Sequence, residues 1–197
     1  MVPIQQGQDS QPRRPEGSGP RPPASGKIVP SLWFDRNCEE AVNAYIDIFN
    51  GSPVKKVESK ITMIKRYPSG ITEGPLAGMD GKILTVIFEL EGQRFLALDG
   101  GPLFKPTEAL SLYIECESQE EIDHFWEKLG EGGDPNARQC GWLKDKYGFS
   151  WQVSPRILGE LLNDPDKAKS DRVLQAMLQM KKLDIAALER AARGEVS

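Results

Sequence analysis

The chain is poor in the residues on which much catalytic chemistry rests. Among 197 residues there is one histidine, His124. A Ser-His-Asp triad, a zinc site built on two or three imidazoles and a two-histidine facial triad all need more imidazole than that. There are three cysteines, Cys38, Cys116 and Cys140, far apart and without a C-x-x-C pair. That spacing argues against a zinc knuckle or a thioredoxin-like redox pair. An odd number of widely spaced thiols, with no apolar secretory stretch before them, fits a reducing cytoplasm. No charge of one sign dominates. Lys plus Arg number 25 against 29 Asp plus Glu, a net charge of −4, which gives nucleic acid or an anionic membrane no hold. No run of about 18 apolar residues exists, so a transmembrane helix is not expected.

What is present is ordinary globular composition, 39% hydrophobic and 27% charged. Residues 1–26 stand apart, with six prolines, four glycines and three arginines. Such a segment cannot bury enough apolar surface to offset its ordering entropy, and a disordered tail is expected. The remainder is about one domain.

The body opens with a strand over 28–35. A helix follows at about 37–50, with Asn37 as N-cap and Val42, Tyr45, Ile46 and Phe49 as its apolar stripe. Residues 54–66 alternate loosely, as an edge strand does. Residues 82–90 and 93–99 form a hairpin about Glu91-Gly92. The pattern then recurs. Ser111-Leu112-Tyr113-Ile114-Glu115 repeats Ser31-Leu32-Trp33-Phe34-Asp35, and Glu120-Glu121-Ile122 echoes Glu39-Glu40-Ala41. Ser118 and Glu121 make a capping box for a second helix, with Ile122, Phe125, Trp126 and Leu129 as its stripe. A second hairpin, 140–146 and 149–154, turns at Tyr147-Gly148. Order, caps and spacing together indicate an internal duplication. Residues 156–193 read as helices, with starts at Asp164-Pro165 and Asp184 and with Met177 and Met180 in a packing seam.

Two βα-plus-hairpin halves side by side give an α+β fold with a curved sheet and a concave cavity. Strand alternation puts Leu32, Phe34, Leu112 and Ile114 in the core, leaving Trp33 and Tyr113 in equivalent inward positions. They serve either as a ligand floor or as filling for the sheet interior. Cys140 is read either as a nucleophile activated by Lys144 or as a small buried thiol. His124, off the apolar stripe of its helix, is expected to be exposed. Lys167, Lys169, Lys181 and Lys182 are a solvated face beside Asp164, Asp166, Asp171 and Asp184.

Several segments resemble PhnB-like proteins, a branch of the vicinal oxygen chelate (glyoxalase, bleomycin-resistance, dioxygenase) superfamily. They are Pro30-Ser31-Leu32-Trp33-Phe34-Asp35 with Glu39-Glu40-Ala41, Leu98-Asp99-Gly100-Gly101-Pro102, Cys140-Gly141-Trp142-Leu143-Lys144-Asp145, Gly148-Phe149-Ser150-Trp151-Gln152-Val153 and Met180-Lys181-Lys182-Leu183-Asp184. The resemblance covers about 27–193. It implies paired βαβββ modules, at about 27–102 and 108–155, and a homodimer, with the helices read above as an extension over 156–197. Many such proteins carry the label 3-demethylubiquinone-9 3-methyltransferase. Superfamily enzymes hold a divalent metal with His, Gln or Glu on the first and last strands of each module. Here those strands offer only Gln152 and, nearby, Asp99, too few donors for a transition metal, so no cofactor is expected. A methyl-donor site would need a Gly-rich turn between a strand and a helix, and Gly100-Gly101 is followed by Pro102. The expectation is a cytoplasmic protein binding a small organic molecule, with Trp33, Tyr113, Trp142 and Trp151 as walls and Asp99, Cys140 and Gln152 as polar contacts. It acts either as a glyoxalase- or dioxygenase-type enzyme with a degenerate metal site, as a noncatalytic sequestering protein of the bleomycin-resistance kind, or as the methyltransferase of the label.

Overall fold

The computed structural model describes residues 26–70, 73–74 and 77–195. The expected disordered tail lies outside the described residues apart from Gly26. The first module runs β1 (Ser31–Phe34), α1 (Cys38–Asn50), β2 (Lys60–Arg66), β3 (Ile83–Leu90) and β4 (Gln93–Asp99). The second runs β5 (Ser111–Cys116), α2 (Gln119–Gly130), β6 (Asp134–Gln139), β7 (Trp142–Lys144) and β8 (Ser150–Pro155). Then follow α3 (Ile157–Leu162), α4 (Lys167–Leu178) and α5 (Ile185–Arg193). Each module has its own four-stranded mixed sheet, ordered β1-β4-β3-β2 and β5-β8-β7-β6. In each, the first strand pairs parallel with the last and the other pairs are antiparallel. The repeat read from two short segments thus extends to the whole topology, an α+β fold without a closed barrel. No helix among the described residues is long and apolar enough to cross a membrane.

Strand β6 gave no signal in the sequence. Asp-Pro-Asn-Ala-Arg-Gln has no apolar alternation, lies mostly exposed, and pairs with β7 at Asp134↔Lys144 and Gln139↔Trp142. Only its place beside β7 makes it a strand.

Three of the helix starts are capped locally and that of α1 by a side chain from elsewhere in the fold. Asn37 occupies the N-cap of α1, but its side chain makes no capping bond. One of the orphan N–H groups, that of Cys38, is met instead by Asp99. Parallel pairing of β1 and β4 sets Asp99 beside Phe34, and its carboxylate accepts the N–H of Arg36 and, at 3.3 Å, of Cys38. In α2, Ser118 Oγ accepts the Glu121 N–H at 3.2 Å, as expected, while the Glu121 carboxylate takes the N–H of Glu117 at 2.7 Å. Helix α4 is capped by Asp166, two residues later than expected, because Asp164 is ion-paired with Lys169 at 2.5 Å. Asp184 caps α5 through the Ala187 N–H at 2.7 Å.

A single core joins the modules. Leu32, Phe34, Val42, Tyr45 and Phe49 of the first meet Ile122, Phe125, Leu143, Trp151 and Val153 of the second. Ring pairs cross the boundary: Phe49–Phe125 at 4.9 Å, Tyr45–Trp151 at 5.3 Å and Phe34–Phe149 at 5.1 Å. His124 belongs to this boundary too. It is half-buried, with Nε2 2.7 Å from the carbonyl of Ile48, so it bridges α2 to the last turn of α1 rather than facing solvent. The extension has a smaller core of Leu158, Leu161, Val173, Leu183, Leu188 and Ala192, against which Met177 and Met180 pack. It is tied to the second module by Gln119, which bonds Leu183 and Ile185, and by the Lys182–Asp123 pair at 2.6 Å.

A carboxylate lies among the rings of the shared core. Asp145, only 4% exposed, closes the turn between β7 and β8. Its Oδ1 accepts the N–H of Tyr147 at 2.9 Å and of Phe149 at 3.0 Å; its Oδ2 accepts the Tyr45 hydroxyl at 2.6 Å and the Trp151 indole N–H at 2.8 Å. Burial pushes its carboxyl above the ordinary carboxylate value, and the four donors offset part of that rise.

Tyr45→Phe removes one of these donors without changing the packing and is expected to cost about 1–3 kcal/mol in urea unfolding. The pH dependence has a definite sign. A carboxyl raised above 3.8 in the fold binds its proton more tightly folded than unfolded. Its contribution therefore favours the fold below 3.8 and is lost as pH rises through the interval up to the folded value. Asp145→Asn lacks this titration, so the stability of the wild type relative to that variant is expected to fall as pH is raised from 4 to 7.

Candidate functional site

Strand alternation sorts the expected site residues onto two faces. Across the second sheet, Tyr113, Gln152 and Trp142 stand side by side in register on the outer face, with Ser111, Ser150 and Lys144 in the next row. Gln152 Nε2 donates to Ser111 Oγ at 2.8 Å. Trp151, adjacent in sequence to Gln152, must point the other way. It is 1% exposed, its ring packs against Tyr45 and Phe49, and its N–H is held by Asp145. Trp151 and Gln152 therefore cannot line one wall.

Asp99 is 3% exposed and holds the start of α1. Burial pushes its carboxyl upward while the two backbone N–H groups pull it down. Cys140 is not in a strand. With Gly141 it forms the two-residue turn between β6 and β7, at φ 51° and 82°. The N–H groups of both are bonded to the carbonyls of Met180 and Lys181 at 2.8 Å, so the extension seals this turn. A Cβ on Gly141 would lie 2.8 Å from the Val153 carbonyl oxygen, which explains a glycine there. The other two thiols are buried, which pushes Cys38 up to about 12 and raises Cys116 as well, so neither is a nucleophile.

A cavity of about 520 Å³ lies in the cleft between the modules. It follows the edge of β5 that faces away from β8, and so takes side chains from both faces of that strand. Phe49, Phe95, Phe125, Trp151, Leu112 and Ile114 give it an apolar floor. Tyr113, 53% exposed, stands at its mouth with Ser111 and Gln93. Around it are Glu91, Glu115, Glu117 and Glu121, with Lys56. Of the expected walls, Tyr113 and Trp151 line this cleft, while Trp142, Gln152, Asp99 and Cys140 do not. The glutamates and Phe49, Phe95 and Phe125 were missed: helical periodicity assigned Phe49 and Phe125 to the core, and nothing in the sequence shows that the core opens at β5.

Trp33 lines a second, smaller cavity of about 240 Å³ with Phe104, Pro106, Leu110 and Leu112. Its ring meets Phe104 edge-on at 4.8 Å, and its N–H donates to the Gly101 carbonyl at 2.8 Å. A Cβ on Gly100 would lie 2.2 Å from the indole. The Gly100-Gly101 doublet is therefore the seat of Trp33.

The residues do not fit the divalent metal that the superfamily resemblance implies. The positions on the first and last strands carry Ser111, Tyr113 and Gln152, of which Gln152 donates its Nε2 to Ser111 and has only Oε1 to offer a metal, and the Asp99 carboxylate is turned onto backbone N–H groups. Amide and hydroxyl oxygens form a weak set for a transition metal. Among the described residues, no group of three or more His, Cys, Asp or Glu side chains could hold a metal ion.

Residues 26–154 match the family model described as 3-demethylubiquinone-9 3-methyltransferase. A solved structure described as a putative 3-demethylubiquinone-9 3-methyltransferase, PhnB protein, from Bacillus cereus is 36% identical. The match covers 66% of this chain and 99% of that one, with a TM-score of 0.53. A protein of Pseudomonas aeruginosa, 23% identical over 66% of this chain and 98% of its own, shares the fold with a TM-score of 0.50. None of the curated proteins matches. The chain belongs to this PhnB-like family, and α3–α5 lie beyond the stretch that the family model matches.

Gly100→Ala is expected to dislodge the Trp33 ring and cost about 1–3 kcal/mol, the usual range for overpacking. A Trp33 fluorescence spectrum shifted to longer wavelength, measured in a variant retaining only that tryptophan, would report it.

Proposed function

We propose that this PhnB-like chain binds a small, largely apolar organic molecule in the cleft between its two modules. The observation that carries this reading is the 520 Å³ cavity with its aromatic floor at the edge of β5. Its size is that of sites for drug-sized ligands, and its mixture of apolar floor and sparse polar groups is what such sites use for affinity and orientation. The donor set described above supports binding rather than metal-assisted turnover.

Methyl transfer, as in the description of the Bacillus cereus relative, finds no support in the residues. A methyl donor of the adenosyl type is held by a Gly-rich turn that leads from a strand into a helix. Gly100-Gly101 is filled by the Trp33 ring and is followed by Pro102 and a loop, so no step is assigned through such a donor.

A second copy of the chain is the partner this reading includes. The outer faces of the sheets carry Trp33, Ile87, Leu96 and Leu98 partly exposed, Met63 at 49%, and Tyr113. A dimer would cover this apolar surface, and the place of action would be the cytoplasm. Light scattering at micromolar concentration is expected to give twice the mass of the chain; a monomer would remove this part of the reading.

The cleft itself is tested with N-phenyl-1-naphthylamine, a neutral apolar fluorophore. Saturable enhancement at one site per chain is expected, and Val54→Trp, which fills the cleft from its wall, is expected to abolish it. Absence of saturation, or binding unchanged in the filled variant, would overturn the proposal.

A further inference from the structure

The charge around the cleft is one-sided. Its walls hold four glutamates against one lysine, and that lysine is already paired: Lys56 Nζ lies 2.7 Å from Glu117. Arg156 reaches the same Glu117 oxygen at 3.0 Å, and these two cations hold the Glu117 carboxyl below its usual range. Glu91 is turned onto the N–H groups of Lys56 and Val57, each at 3.2 Å. Glu121, 8% exposed, is fixed by the Glu117 N–H and by Ser52 Oγ at 3.2 Å. Each of these three carboxylates is thus held in place by the fold. The fourth, Glu115, is exposed on β5 at the mouth of the cleft, beside Ser111 and Tyr113. It has room to meet a ligand.

A carboxylate-walled cavity of low polarity repels anions and gains from a positive charge, and the faces of aromatic rings beneath it add to that preference. A cation without an apolar body would stay in water, since the floor offers it no hydrogen-bond acceptors. We infer that the ligand of this cleft is an organic cation with an apolar body, such as a hydrophobic amine or quaternary ammonium compound, with Glu115 meeting its charge at the mouth. The inference rests on the cleft being a binding site, as proposed above, and goes beyond it in naming the class.

The test compares benzyltrimethylammonium with neopentylbenzene, its neutral isostere, as competitors for N-phenyl-1-naphthylamine on the full chain. The cation is expected to displace the fluorophore at a concentration at least tenfold lower than the neutral compound. In Glu115→Lys that advantage is expected to fall at least fivefold, with the affinity for neopentylbenzene unchanged; raising salt is expected to erode it also. Equal competition by the two compounds, or an advantage unaltered in Glu115→Lys, would overturn the cationic class and leave the cleft as a site for neutral ligands. Failure of the fluorophore itself to bind would overturn both readings. Retention of the native circular dichroism spectrum in Glu115→Lys, expected for an exposed position, separates loss of recognition from loss of fold.

Discussion

Asp145 brings together four neutral donors, two of them from the turn that contains it, one from the neighbouring strand and one from the helix of the other module. A carboxylate taken out of water costs several kcal/mol unless its lone pairs are met, and here they are met only when α1 lies against β7 and β8. Apolar contact alone would let the modules slide. A buried acceptor with fixed partners does not, because each lost bond leaves a charge in a medium that cannot solvate it. The Tyr45 hydroxyl therefore acts as a positioning contact between the halves, and the Tyr45–Trp151 ring pair completes it on the apolar side.

From that docking the cleft follows. β1 and β5 are each an edge strand of their own sheet, and with α1 and α2 sharing one core the edge of β5 remains open toward the hairpin β3–β4. The aromatic rings that fix the modules, Phe49, Phe125 and Trp151, are also the floor of the cavity. The same side chains thus hold the fold and offer a surface to a ligand. The glutamates are there for related reasons: Glu121 and Glu91 complete backbone donors at the start of α2 and at the loop after α1, and in doing so they give the cleft its charge.

Much of the fold could be read from sequence because the signals are local. The repeat of Ser31–Asp35 in Ser111–Glu115, the Glu91-Gly92 turn, whose φ values are both positive, and the Ser118 cap each depend on neighbouring residues. What escaped depends on distant ones. Asp99 reads as a cavity carboxylate until the parallel pairing of β1 and β4 shows it capping a helix 61 residues away. Cys140 and Trp142 read as one strand face until the turn at Cys140-Gly141 separates them. Strand alternation by itself sets Trp151 and Gln152 on opposite faces of β8. For Asp145 there was a usable sign, an aspartate three residues before a glycine at a hairpin turn, which suits a side chain that accepts from its own backbone. For His124 there was none, since its partner is the backbone of another helix.

The two modules share one core, joined through Asp145 and the rings around it, and should unfold as one unit. Differential scanning calorimetry tests this directly. A single transition is predicted for the modules, with calorimetric enthalpy equal to the van't Hoff enthalpy. Two separable transitions, one for residues 31–99 and one for residues 111–155, would contradict it.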